Sequence, residues 1–217
     1  DTIGEALSAA ADSPFGLRLI EHDGHVSELD YRTLLTRACR VAGALQARGY
    51  RQGDRIALVA PDVGGFVTAL FGIVAAGLVP VPLAPPAQAG DLDTFRRQSA
   101  HIIAAARVSA VVTTADAGAL LRTPGADDAG GRSGPTVHGL DALLAAETPL
   151  PAPVRRAPGD TALIQFTSGS TASSSSGSSS SWCSRSYQGF ISGNSCGAWL
   201  IGCICRPSAV ARSCRRR

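Results

Sequence analysis

The sequence predicts an α/β domain with a largely parallel sheet flanked by helices, and three observations predict it. Arg55 to Ala60 is a short run that is apolar at consecutive positions from Ile56 on, as a strand buried on both faces requires. Tyr31, Leu34, Leu35, Ala38, Val41, Ala42 and Leu45 recur at helical spacing, and Arg32, Arg40 and Arg48 stand off that stripe. Helical and extended segments then alternate along the chain, the order expected of strands joined by helical crossovers.

Taken in order, Ile3, Leu7 and Ala10 mark a short opening helix that Ser13-Pro14 stops. Leu17 to Glu21 and His25 to Leu29 are extended stretches joined across Asp23-Gly24, where glycine tolerates positive φ, so a β-hairpin is expected. Asp30 can cap the helix that follows, and Gly49 closes it. After the strand at Arg55, Phe66 to Ala76 predicts a second helix ending at Gly77. Val79 to Leu83 can form only an edge or terminal strand, because Pro80 and Pro82 lack ladder donors. Thr94 to Arg107 predicts a third helix, capped by Asp93, before the strand at Ala110. Residues 123–135 read as a surface loop, Val137 to Ala146 as a weak helix and Arg156 to Asp160 as a turn. Ala162 to Phe166 then predicts a strand running into Thr167-Ser168-Gly169-Ser170-Thr171.

Composition narrows the function. The net charge of +3 hides an asymmetry: residues 1–171 carry 14 arginines against 17 carboxylates, and residues 172–217 carry six arginines and no acid. The mildly acidic body offers nucleic acid no electrostatic attraction. The longest apolar run, Phe66 to Leu83, is broken by Gly72, Gly77, Pro80 and Pro82, and no charged-then-apolar leader opens the chain, so a cytoplasmic protein with no membrane span is expected. Cys39 stands alone in the body, which fits a reducing compartment.

The pentapeptide from Thr167 to Thr171 carries the chemistry. Small hydroxylated residues around a glycine at the end of a strand can wrap a phosphate. Gly169 lets the backbone turn and approach closely, successive N–H groups form an anion-binding concavity, and each hydroxyl adds a donor. Such runs are also common in ordinary loops. Ser168 and Ser170 lack the Gly-x-Ser-x-Gly elbow of an acyl-transfer nucleophile, so they read as phosphate donors.

Gln165 to Thr171 resembles the phosphate-loop signature of the adenylate-forming superfamily, which includes acyl-CoA synthetases, fatty acyl-AMP ligases and nonribosomal adenylation domains. Three upstream stretches agree in order and spacing. Leu29 to Gly49 with Gly53-Asp54-Arg55-Ile56-Ala57-Leu58, Ala69 to Leu83, and Ser109 to Thr114 resemble the early helix and strand, the next helix and strand, and the strand after that. Pro82-Leu83-Ala84-Pro85-Pro86 and the helix that follows most resemble fatty acyl-AMP ligases and related loading domains. The resemblance implies a partial N-terminal domain of the adenylate-forming fold over residues 1–171. It implies that a fatty or other carboxylic acid attacks the α-phosphate of ATP, with Mg²⁺ offsetting developing charge, and that the acyl group passes to an acyl carrier protein or to coenzyme A. Thr167, Ser168, Gly169, Ser170 and Thr171 are the implied ATP-binding residues, with no catalytic or metal-ligating residue assigned.

After Thr171 the resemblance ends. The family continues with glycine, a variable residue and Pro-Lys-Gly, whereas this chain reads Ala172 to Ser178 and contains no lysine anywhere. Residues 172–217 form an irregular Ser/Cys/Arg-rich tail with 14 serines and five cysteines. A shifted reading frame, a Ser-rich disordered linker and a cysteine-rich module are three readings of it, the last disfavoured by the odd count and the tight Cys203-Ile204-Cys205 spacing. The expectation is a piece of a ligase, cut off after its phosphate loop and inactive alone. The alternatives are a non-catalytic binding module and a pseudogene product that retains the N-terminal fold. His22, His25, His101 and His138 show no metal-ligand spacing, and Cys39 reads as a buried structural thiol.

Overall fold

The computed structural model describes residues 2–21, 23–85, 92–114, 135–147 and 149–166, together with the backbone of 201–204. The elements are α1 (Ile3–Ala10), β1 (Gly16–Ile20), β2 (Val26–Asp30), α2 (Tyr31–Ala47), β3 (Arg55–Val59), α3 (Val63–Ala75), β4 (Val79–Pro82), α4 (Leu92–Ala106), β5 (Ala110–Thr113), β6 (Thr136–Gly139), α5 (Leu140–Leu144) and β7 (Ile201–Ile204). They build a parallel sheet in the order β4-β3-β5-β6 and an antiparallel one in the order β2-β1-β7.

The parallel sheet has the two covered faces that the consecutive apolar run predicts. Ile56 and Leu58 join the core that holds Leu34, Val41, Leu45 and Ile73 of α2 and α3. Ala57 and Val59, one residue out of phase, join Leu83, Phe95 and Val111 on the side of α4. Because successive strand side chains point to opposite faces, a strand between two helical layers needs apolar residues at every position.

Local chemistry sets the helix ends. The Thr2 hydroxyl accepts from the Glu5 N–H while a Glu5 carboxylate oxygen accepts from the Thr2 N–H, a complete capping box. Asp30 caps α2 by accepting from the Thr33 N–H at 2.7 Å, as the sequence predicts. The helix α3 begins at Val63, three residues before the expected start, because the Asp62 carboxylate accepts from the Gly65 N–H. The two glycines at 64 and 65 conceal that start; a Cβ at Gly65 would lie 2.7 Å from both Asp62 carboxylate oxygens, so the cap would have to shift to admit one.

Four expectations are corrected. Asp93 lies within the first turn of α4 instead of capping it, and pairs with Arg96 at 3.6 Å; a carboxylate in a first turn still complements the helix dipole. Val137 does not open a helix. Thr136 to Gly139 extends as β6 beside β5, where the β-branched Thr136 and Val137 suit a pleated edge, and only Leu140 to Leu144 is helical. Ala162 to Phe166 joins no ladder, for a reason given below. The tail contributes β7, whose backbone pairs with the free edge of β1 and so needs no side-chain pattern. His22, residues 123–134 of the expected loop and the rest of the tail lie outside the described residues.

The edge strand β6 is tied to the loop after α2 by Tyr50, whose hydroxyl lies 2.7 Å from His138 Nε2 with the rings edge to face. Burial first, and the Arg48 charge second, lower the His138 pKa below its usual 6.5. The unfolded chain therefore takes up this proton more readily than the folded one. The stabilisation is complete above pH 6.5 and is lost as pH falls through the lowered folded value. Urea midpoints at pH 7.5 and 5.0 are expected to differ less for His138→Gln than for the wild type; equal differences would exclude this linkage.

Candidate functional site

Thr167, Ser168, Gly169, Ser170 and Thr171 lie outside the described residues. The structure does describe the segment that leads to them, which is tied at intervals to α2, to the end of α3 and to β4. Leu150 N–H donates to the Cys39 carbonyl of α2, and Val154 N–H to the Ala75 carbonyl at the end of α3. Arg156 Nη1 donates to the Gly77 carbonyl at 2.8 Å, and Ile164 N–H to the Pro80 carbonyl at 3.1 Å.

That last bond explains why the expected strand does not form. On β4, Val79 N–H donates to Asp54 O and Leu83 N–H to Leu58 O, both toward β3. Pro80 and Pro82, at the alternate positions, therefore face the outer edge, which offers acceptors and no donors. A neighbouring segment can donate to this edge but cannot receive from it. Residues 161–166 accordingly lie beside β4, with the Ile164 N–H donating to the Pro80 carbonyl and Leu163 39% exposed, instead of extending the sheet.

The direction of this segment matters more than its label. Arg156 joins Gly77 to the Thr161 carbonyl, while Ile164 meets Pro80, so both chains advance by three residues together. The segment runs parallel to β4, and its exit at Phe166 points to the carboxyl ends of the parallel strands. In open α/β sheets ligands bind outside those ends.

At the same end of the sheet, a cleft of about 340 Å³ is lined by Arg37, Asp62, Gly65, Thr68, Thr114 and Asp141. The positive end of α3 is not free for a ligand there, because Asp62 already occupies it. Two carboxylates beside one arginine do not make a polyphosphate cradle. Among the described residues no group of three or more His, Cys, Asp or Glu is placed to hold a metal ion. Burial raises the Cys39 pKa, which keeps the thiol protonated and unreactive. Within the same residues, no helix is long and apolar enough to cross a membrane.

The mooring of residues 150–164 has no signature in the local sequence. Arg156 reaches across 79 residues to Gly77, and no local spacing announces such a contact. The only textual hint is Gly77 itself, whose φ of +76° marks a special backbone position.

A parallel sheet between helical layers, with a segment led along its proline-bearing edge, matches the N-terminal part of adenylate-forming enzymes. Residues 9–174 match the AMP-binding enzyme family, and the chain belongs to that family. It is similar to the long-chain-fatty-acid–AMP ligase FadD26 of Mycobacterium marinum, at 33% identity over 153 residues covering 70% of this chain and 25% of that protein. A solved structure of fatty acyl-adenylate ligases from E. coli and L. pneumophila superposes with a TM-score of 0.68 at 31% identity, covering 77% of this chain and 30% of the other. The L. pneumophila fatty acyl-adenylate ligase in complex with acyl adenylate and pyrophosphate superposes with a TM-score of 0.60 at 26% identity, covering 78% of this chain and 28% of that one. The chain thus spans between a quarter and a third of these proteins' length, and within the family it is fatty acyl-AMP ligase-like.

Proposed function

We propose that Thr167 to Thr171 form the ATP-phosphate loop of a fatty acyl-AMP ligase of which this chain supplies the front part. The observation that supports the reading is the parallel course of residues 161–166 along β4, which brings Phe166, the residue before Thr167, to the carboxyl end of the sheet. In the complete reaction a carboxylate oxygen of a fatty or other carboxylic acid attacks the α-phosphorus of ATP. The bond from that phosphorus to the bridging oxygen breaks, and pyrophosphate leaves. The acyl-adenylate then passes its acyl group to the thiol of an acyl carrier protein or of coenzyme A, releasing AMP. The backbone amides around Gly169 and the four hydroxyls beside it hold the phosphates by donated hydrogen bonds. A Mg²⁺ ion finds no ligand cluster among the described residues, and the reading assigns it no step. A cytoplasmic setting accords with such substrates.

The charge that the family places after this loop is missing, since Ala172 to Ser178 replace the lysine-bearing continuation and no lysine occurs in the 217 residues. Binding without turnover is therefore the expected behaviour of this polypeptide. Titration calorimetry with ATP and with pyrophosphate should show weak saturable binding, at least about tenfold weaker in Gly169→Val, where a β-branched side chain obstructs the close backbone approach. No heat from the wild type with either ligand would sink the reading. Steady acid-dependent release of pyrophosphate would overturn the prediction of no turnover.

A further inference from the structure

The proline edge of β4 raises a mechanical question: it offers a neighbouring segment acceptors but no donors, so the ladder cannot be completed from both sides. We infer that Arg156 is a positioning residue, a guanidinium clasp that sets the register of residues 161–166 on β4. The inference rests on the phosphate-loop reading for its consequence, though not for its geometry.

Three nitrogens of Arg156 are engaged at once. Nη1 donates to the Gly77 carbonyl at 2.8 Å, Nη2 to the Thr161 carbonyl at 3.3 Å, and Nε pairs with Asp160 Oδ2 at 3.1 Å. The side chain is 15% exposed, so these charge-assisted contacts are only partly screened by water. Asp160 Oδ2 also accepts from the Ala157 N–H at 3.0 Å, and Asp160 N–H donates to the Ala157 carbonyl at 3.0 Å, which closes the turn 157–160 around the arginine. At the other end, the Gly77 carbonyl takes a second bond from the Gly53 N–H at 2.9 Å. The clasp is thus anchored to the turn that also fixes the entry to β3.

This arrangement joins the point where β4 begins to the point where the loop-bearing segment begins. With Gly77 and Thr161 held by one planar group, Ile164 is brought level with Pro80. A lysine carries the same charge but cannot present three donors in one plane. Both Arg156→Ala and Arg156→Lys are therefore expected to release the segment, whereas Arg155→Ala, which removes the same charge from an exposed neighbour, is not.

The test is hydrogen exchange on the full chain, read at peptides covering 161–166 and at β3 and β5, paired with calorimetry using ATP. In Arg156→Ala and Arg156→Lys, exchange over 161–166 is expected to rise about tenfold, with β3 and β5 unchanged and ATP binding about tenfold weaker. Asp160→Asn, which keeps the turn but loses the ion pair, is expected to show a smaller rise of the same pattern. Unchanged exchange over 161–166 in Arg156→Ala would overturn the clasp, as would an equal rise in β3 and β5, which marks a general loss of stability. Full rescue by Arg156→Lys would show that charge alone suffices and would overturn the fork argument. A wild type that binds no ATP removes the phosphate-loop reading, and exchange over 161–166 then decides the clasp by itself.

Discussion

Replacing Gly72 with alanine is expected to destabilise the protein by about 2 kcal/mol, although the same change in an isolated helix stabilises by about 1 kcal/mol. Gly72 sits in α3 where it crosses α2, and a Cβ there would lie 2.5 Å from Val41 Cγ1 and 2.6 Å from Val41 Cβ. The nearer of these atoms belongs to a flexible group, but the second is fixed to the backbone of α2, so rotation cannot relieve the overlap. Val41 is fully buried, and a close-packed interior leaves it nowhere to go. The two helices must separate, at a cost of about 1–3 kcal/mol that exceeds the gain in helix propensity. Thermal unfolding measures the balance, and in a Val41→Gly background the Gly72→Ala change should cost nothing further. A raised melting temperature for Gly72→Ala alone would refute the argument.

Leu58→Ala is expected to cost more, about 2–5 kcal/mol, which is a large part of the 5–15 kcal/mol that a domain of this kind possesses. Leu58 is fully buried in β3, the strand flanked by β4 and β5, and packs in the core shared with α2 and α3. Truncation removes the transfer energy of the lost methyl groups and leaves a cavity that helices on one side and strands on the other cannot close. Leu163→Ala, at a residue 39% exposed beside β4, should fall within about 0.5 kcal/mol of wild type. Chemical denaturation of both variants checks the contrast. Similar losses for the two would mean that the segment after Asp160 belongs to the core.

These two leucines also mark how far the sequence could be read. Leu58 stands in an unbroken apolar run, and that run announces a strand covered on both faces, as found. Leu163 stands in a run of similar appearance, Ala162 to Phe166, and there the same inference fails. The difference lies in the neighbour: β3 has full ladders on either side, whereas residues 161–166 face an edge whose donors two prolines have removed. The prolines were legible as marks of an edge strand, but which segment would lie against that edge was not.

The sequence by itself determined what depends on near neighbours along the chain. Asp30 and Gly49 delimit α2, the turn at Gly24 sets the hairpin, and the apolar period assigns each helix its inner face, because capping and periodicity act over one or two turns. Tertiary structure alone decided what depends on partners far apart in sequence. Gly72 is required by Val41, His138 is held by Tyr50 across 88 residues, and Arg156 finds its acceptor at Gly77 across 79. Such contacts exist only after the chain has collapsed, when shape and unspent hydrogen-bond capacity choose the partner.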